Sequence, residues 1–494
     1  MNNITEVFPI IPLNQLELLN LLPIFTLSFG ALFSLLAGTH KTKGHGYAFL
    51  VAFAFICFTL VQYTFPFLNS DIQLLGGTLT FSPFTKTVSL MILIFSLIGV
   101  LLTYGQDVKE DMLSEVYALM MFATAGMILM VSTTHLLFMF ISLEIMSLAV
   151  YVMVAMRRTS RFSAEAGLKY FILGGLASAL FLYGSSLVFG ALGSFELNAL
   201  AGVLSQNPNP SFIFYVGLAL IVAAMLFKVG AFPFHGWVPD VYQGASSNIT
   251  AFMGAAVKFT AFLAFARVVQ GLVFIDSIQA LKWFQGAIWV VAAASMIYGN
   301  FVAISQNEIK RMLSFSTIAH TGYLLLGLYA MNSGEGTNSQ SLVLYLFFYA
   351  LSNLGAFAII SLFEEKNQKD LHIDQIAGLG IKHPVLGFFF TIFLFSMAGI
   401  PLTSGFIGKY GLFNSAVNAG EVPLVVIAVL TSVVSVFYYL RVIVYMFMKE
   451  GSAVMAKHQK LKGATLAAFV SAAATLQFGL FPKAIIHFIK MIAQ

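Results

Sequence analysis

A polytopic α-helical membrane protein is the fold class this sequence predicts, and three observations predict it. Of its 494 residues, 59% are hydrophobic and only 9% are charged, against about 25% charged in an average soluble domain. Apolar runs of roughly 20 residues, long enough to cross the hydrocarbon of a bilayer, recur from one end of the chain to the other. Lysine and arginine gather in the connections after alternate runs, the asymmetry that sets membrane orientation.

Fourteen spans follow in chain order, at 18–38, 46–66, 84–104, 113–131, 134–156, 166–191, 211–244, 247–271, 284–305, 312–331, 340–363, 384–418, 422–448 and 463–482. The first three form an N-terminal segment, 1–111. Spans four to eight occupy 112–272, spans nine to thirteen 273–450, and span fourteen 451–494. Span six, "YFILGGLASALFLYGSSLVFGALG", is rich in small residues that let helices approach closely, and it reads as packing alone. Spans seven and twelve are long because each is interrupted. The longest charged connection, "EEKNQKDLHIDQIAGLGIKHP", has about twenty residues, too few to fold alone.

Sixteen lysines and arginines, from Lys41 to Lys462, lie in connections or span ends after odd-numbered spans. Only Lys86, Lys282, Lys483 and Lys490 follow even-numbered ones. Both termini are therefore expected on the outer side, and a missed span would have spoiled the asymmetry. The start, "MNNITEVFPI", lacks a positive n-region, so the first span is expected to act as an uncleaved signal. The formal charge of +5 is spread over these short connections and is no nucleic-acid signal. Cys57 is the single cysteine; it forms no internal disulfide and excludes a site built from several cysteines.

Weak internal symmetry is visible. Span seven contains "FKVGAFPFHGW" and span twelve "FSMAGIPLTSGF". In each an apolar helix meets a small residue and a proline, and then a more polar stretch resumes as helix. Pro233 frees the carbonyl of Val229, and Pro401 that of Met397. Interruptions five spans apart predict two five-helix units of opposite topology, each with a broken helix. Such inverted repeats place their sites near the membrane midplane.

Charges inside the spans point to those sites. Glu144 stands mid-way along span five with no route to water and needs a partner. Lys228 lies on another helix of the same repeat at similar depth, so a direct Glu144–Lys228 pair is expected. Lys258, about eleven residues into span eight, and Lys409, in the second half of span twelve, have no second mid-span carboxylate to neutralise them. His320 lies well inside span ten, as relay or packing residue. His235 and Asp240 follow the Pro233 break, where they satisfy freed backbone groups or cap the resumed helix, with His235 also a candidate for the proton path. Arg267 and Arg441 lie nearer helix ends and are expected to snorkel. A single buried pair could merely lock two helices. A lysine file does more: burial disfavours an ammonium, and an approaching carboxylate restores it. Such lysines load and release protons near neutral pH.

"KVGAFPFHGWVPDVYQGA" (228–245), "NEIKRMLSFSTIAHTGY" (307–323) and "SMAGIPLTSGFIGKYGLF" (396–413) closely resemble the antiporter-like proton-channel subunits of respiratory complex I, the bacterial NADH–quinone oxidoreductase. The likeness runs through nearly the whole chain. It implies an inner-membrane, multi-pass, fourteen-helix subunit of a translocase, with an inverted repeat of spans 4–8 and 9–13. The implied proton pathway is Glu144, Lys228, Lys258, His320 and Lys409. No cofactor is implied in this chain, because electron transfer and quinone chemistry belong to other subunits. Implied partners are the other membrane subunits, including a sister antiporter-like subunit, and the lipid bilayer. Lys409 stands where one branch of the family typically has glutamate. Only about a dozen residues follow span fourteen, where another branch continues into a long lateral helix. "GASSNIT" replaces a loop usually written Gly-Ala-Pro-Thr-Pro, which leaves that loop's shape open. Other readings are a multi-subunit or hydrogenase-associated cation/proton antiporter component, a haem-bearing redox protein and a scaffold. The haem reading has only His235 and His320 well inside spans as axial ligands.

Overall fold

The computed structural model describes residues 15–40, 43–64, 72–105, 112–157, 160–206, 209–273, 275, 278, 280–331, 337–364, 371–451, 462–483 and 485–486. The N-terminal decapeptide lies outside them, as do the expected loop cations Lys41, Lys109, Arg158, Lys366, Lys369, Lys457, Lys460 and Lys490.

Helices α1 (Gln15–Gly38), α2 (Gly44–Gln62) and α3 (Pro83–Thr103) begin the chain. A small antiparallel hairpin, β1 (Ile72–Leu74) and β2 (Leu79–Phe81), joins α2 to α3 with Ile72 opposite Phe81. The sequence reading contained no strand there. The chain then runs through α4 (Leu113–Val131), α5 (Leu136–Val154), α6 (Arg161–Leu192), α7 (Leu197–Gln206), α8 (Phe212–Val229), α9 (Trp237–Gly244), α10 (Ser247–Phe252) and α11 (Lys258–Leu272). Next come α12 (Leu281–Ser305), α13 (Ile309–Met331), α14 (Thr337–Ser361), α15 (Leu379–Lys382), α16 (Pro384–Ala398), α17 (Ser404–Asn418) and α18 (Val422–Met448). Helix α19 (Lys462–Leu480) follows. Among the described residues twelve helices are long and apolar enough to cross a membrane. Helix α13 and the broken pair α16/α17 stand apart from that twelve.

Both expected interruptions are present, and glycine makes them. Helix α8 ends at Gly230 with φ 71°, where Ala231 N–H donates to Leu226 O at 2.9 Å and Gly230 N–H to Phe227 O at 3.0 Å. Helix α16 ends at Gly399 with φ 85°, where Ile400 N–H donates to Phe395 O at 2.9 Å and Gly399 N–H to Ser396 O at 3.1 Å. These are matching Schellman ends, which need the left-handed conformation glycine adopts without strain. Pro233 and Pro401 come just after the turn and stop the helix from continuing.

A third irregularity had no sequence signal. Between α10 and α11 the chain makes one π-helical turn, Met253–Val257, fully buried, and Lys258 follows it directly. Gly254 sits against α14 there, where a Cβ would come within 2.6 Å of Asn353 Oδ1. Single π turns of this kind commonly mark functional sites. The variant "GASSNIT" segment resolves as the start of α10, with Asn248 Nδ2 donating to Thr103 Oγ1 at 3.1 Å.

Two expectations about loops are corrected. Lys310, counted as a loop cation, lies in the first turn of α13 and is buried. Glu364, at the start of the long charged connection, is buried as well. That connection returns to the protein: Ile309 N–H donates to Leu371 O and Ile373 N–H to Asn307 O.

Close packing of α6 on α8 bears out the small-residue reading of span six in part; packing is not its whole role, because Tyr170 and Ser178 of the same helix reach Lys228 and Glu144. A Cβ on Gly184 would lie 2.6 Å from Gly217 O, and one on Gly217 would lie 2.7 Å from Gly184 O. Gly190, two turns further on, faces open space. We predict that Gly184→Leu lowers thermal stability by several degrees in detergent, as overpacking of about 1–3 kcal/mol would. Gly190→Leu leaves stability unchanged in the same assay.

Candidate functional site

Glu144, Ser147 and Tyr151 lie on successive turns of α5, spaced so that they share one face. Lys228, in the last turn of α8 and 7% exposed, donates to Ser147 Oγ at 2.5 Å. The rings of Tyr151 and Tyr170 flank its ammonium, with centroids at 5.5 and 5.8 Å. Glu144 is half-buried and accepts from the Ser178 hydroxyl of α6. No direct ion pair joins Glu144 to Lys228 among the described residues. The expected direct pair is therefore corrected: Ser147, nearly one turn beyond the carboxylate, takes the amine's hydrogen bond.

The break after Lys228 leads to the second lysine. Val229 O, the carbonyl expected to be freed, accepts from Thr321 Oγ1 of α13 at 3.1 Å. That same hydroxyl accepts from Lys258 Nζ at 2.7 Å. Lys258, 5% exposed, also donates to Thr317 O at 2.7 Å and stands 5.4 Å from the Tyr349 ring centroid. One threonine thus joins the broken end of α8 to the amine that follows the π turn.

His320 continues the file. Thr317 Oγ1 and Tyr349 Oη are 2.8 Å apart, and the Tyr349 ring lies 4.7 Å from the imidazole of His320. His320, 2% exposed, has Tyr345 Oη at 2.5 Å from Nδ1 and Tyr439 Oη at 3.3 Å from Nε2. Each hydroxyl can donate or accept, so both tautomers of a neutral imidazole are accommodated. Two acceptable tautomers are what a relay needs.

Lys409, 5% exposed, stands beyond the second break and reaches back across it. Its Nζ donates to Ala398 O at 3.0 Å and to Ser432 Oγ at 2.9 Å. The carbonyl served is Ala398's, not Met397's as the proline rule suggested, because Gly399 ends the helix one residue later. A Cβ on Gly399 would meet Lys409 Cδ at 2.8 Å, so glycine also leaves room for the lysine stem. The Tyr323 ring lies 5.1 Å from the amine and 5.7 Å from His320. Asn300 binds Tyr323 Oη at 3.0 Å and Tyr438 Oη at 3.0 Å.

The structure thus brings Lys228, Lys258, His320 and Lys409 into one file, with Glu144 beside Ser147 at its start. His235 is not joined to it. Its ring stacks on Phe232 at 5.3 Å and lies 4.7 Å from Tyr298. Asp240 faces away too, binding Lys169 at 3.0 Å and Arg311 at 3.1 Å. The expected snorkelling arginines are corrected. Arg267 donates to Thr133 O at 3.1 Å, and Arg441 binds Ile304 O at 2.9 Å and Gln306 O, capping α12. Carbonyls at element ends hold both guanidiniums inside the protein.

Sequence reasoning missed one charged cluster. Glu364 pairs with Arg157 at 2.7 Å and Lys310 at 3.3 Å and accepts from Ser247 N–H at 2.9 Å. Lys310 also donates to Ala245 O at 2.6 Å. The cluster ties the ends of α5 and α9 and the start of α10 to those of α13 and α14. An acid placed immediately after an apolar run was the available signal. Desolvation pushes the Glu364 carboxyl up, but Arg157, Lys310 and the Ser247 N–H outweigh it and hold it down at about 2.

A carboxyl depressed on folding contributes stability that is present above its unfolded value, near 4.5, and is lost as pH falls through about 2. Wild-type protein should therefore lose stability relative to Glu364→Gln as pH drops below 4.5. At pH 7 the variant should be less stable by about 3–5 kcal/mol, the cost of stranding buried cations. Thermal melts across pH 3–7 check both.

Comparison with known proteins follows the same residues. A family model described as "NADH:quinone oxidoreductase/Mrp antiporter, TM" matches residues 133–435, which contain every group of the file. NADH-quinone oxidoreductase subunit N of Trichlorobacter lovleyi is 41% identical over 375 residues, 76% of each chain. A chain of respiratory complex I from Thermus thermophilus superposes with TM-score 0.79 at 31% identity, covering 94% of this chain and 98% of that one. A chain of the Mrp complex from a Dietzia species shares the fold, with TM-score 0.79 at 20% identity, covering 96% of this chain and 97% of that one. The chain belongs to the NADH:quinone oxidoreductase/Mrp antiporter transmembrane family.

Proposed function

We propose that this chain is the proton-translocating, antiporter-like subunit N of a bacterial NADH–quinone oxidoreductase, moving protons through Glu144, Lys228, Lys258, His320 and Lys409. One observation carries the reading. Four ionisable groups, all but buried, follow one another through the protein, each a hydrogen bond or a ring contact from a polar neighbour. A chain needing only rigidity would not keep three buried lysines without a carboxylate in contact, since each is costly in a bilayer. His235 stays outside the route.

Fourteen spans cross the membrane, α13 and the broken pair α16/α17 joining the twelve apolar helices. Residues 112–272 and 273–450 form inverted five-helix units, flanked by 1–111 and 451–494; the matching glycine-ended breaks of α8 and α16 support this. Both termini face the outer side of the inner membrane, as the basic asymmetry requires. No redox cofactor resides in this chain. Quinone reduction elsewhere in the complex drives it, through the neighbouring membrane subunits. Carrying one charge across 100 mV takes about 2.3 kcal/mol, within the range by which a moving counter-charge retunes a buried amine.

In the assembled complex, Lys258→Ala should cut proton translocation several-fold while NADH oxidation by a water-soluble acceptor, which bypasses the membrane, stays at the wild-type rate. Wild-type pumping stoichiometry in a fully assembled variant contradicts the reading. Sodium-dependent transport by the isolated chain would favour the cation-antiporter alternative.

A further inference from the structure

A cavity of about 500 Å³ opens between the first turn of α2, the end of α3 and the first turn of α19. It lies apart from the lysine file and shares no residue with it. Its floor is apolar: Phe49 and Tyr104 pack ring to ring at 4.3 Å. Its outer wall carries Tyr47, Leu50 and Leu466, exposed by 41%, 57% and 46%. These side chains lie on helices long and apolar enough to cross a membrane, where hydrocarbon suits their exposed apolar surface. At the mouth stand Lys43, His45 and Lys462. Neither lysine is in an ion pair among the described residues.

We propose that this cavity binds an anionic phospholipid, its phosphate held by Lys43 and Lys462 and its acyl chains laid along Tyr47, Leu50 and Leu466. Charge complementarity selects the headgroup. Two ammonium groups beside the first turns of two helices attract a phosphate, the more so because helix N-termini carry partial positive charge. Basic pockets between membrane helices recognise anionic lipid in this way. Close packing builds the site: a Cβ on Gly463 would fall 2.4 Å from Tyr104 O, so glycine brings the start of α19 against the end of α3. Gly46 shapes the hollow, for a Cβ there would meet nothing within 4 Å. Lys43 and Lys462 both belong to connections after odd-numbered spans, which places the lipid in the inner leaflet.

The test measures lipid retained by the purified, assembled complex after delipidation and exposure to equal phosphatidylglycerol and phosphatidylcholine, counted by mass spectrometry. Wild type should retain phosphatidylglycerol in preference. Lys43→Gln with Lys462→Gln should lower that retention at least fivefold, and Gly46→Trp should abolish retention of either lipid at the site. Should Gly46→Trp fail to assemble, the double variant at two exposed lysines decides alone. Equal retention of the two lipids by wild type overturns the proposal, since the amines would then be neutralised within the protein. Unchanged retention in the double variant overturns it too. So does a photo-crosslinker at position 50 that captures a neighbouring polypeptide instead of lipid.

Discussion

A backbone carbonyl released inside a bilayer must find a donor, because no water is there to supply one. This chain releases carbonyls at two breaks and answers them with side chains of the proposed proton path or their direct partners. At the end of α8 the donor is Thr321, which also holds Lys258. At the end of α16 it is Lys409 itself. The same hydrogen bonds that satisfy the helix ends hold the lysines assigned to the proposed path.

The two breaks are alike in backbone and unlike in charge. Both end in a glycine Schellman turn, yet Lys228 precedes its break and Lys409 follows its own. Lys228 stays within the first unit, on Ser147 of α5. Lys258 crosses instead to Thr317 and Thr321 of α13, in the second. Lys258 is thus held across the two units by threonine oxygens rather than by a carboxylate, beside the ion pairs Arg157–Glu364 and Asp240–Arg311 that also cross between them. The charged clasp of Glu364 with Arg157 and Lys310 holds the same two units near the helix ends. Removing Glu364 would leave Arg157 and Lys310 without their shared carboxylate.

Much of this was legible in the sequence. Long apolar runs gave away the helices, and the interrupted spans matched α8/α9 and α16/α17 closely, because glycine and proline act locally. Buried lysines were legible because charge inside an apolar run is rare and costly. What stayed hidden depends on contacts between helices. Ser147 and Thr321 are ordinary residues for membrane helices, and nothing in their own segments says that an amine will reach them. The π turn before Lys258 leaves no trace in composition. Arg267 and Arg441 looked free to snorkel until the ends of neighbouring elements were seen beside them. Lys310 and Glu364 looked like loop charges for the same reason.

The joint between the two units is the most exposed part of this account. Thr321→Val keeps the shape of the side chain and removes the one hydroxyl that serves both Val229 O and Lys258. The decisive measurement is the ratio of protons translocated to electrons transferred by the assembled complex carrying that variant. A lowered ratio, restored by Thr321→Ser, is the result expected here. A wild-type ratio in a correctly assembled Thr321→Val complex would contradict the claim that the hydroxyl joins the two halves of the path.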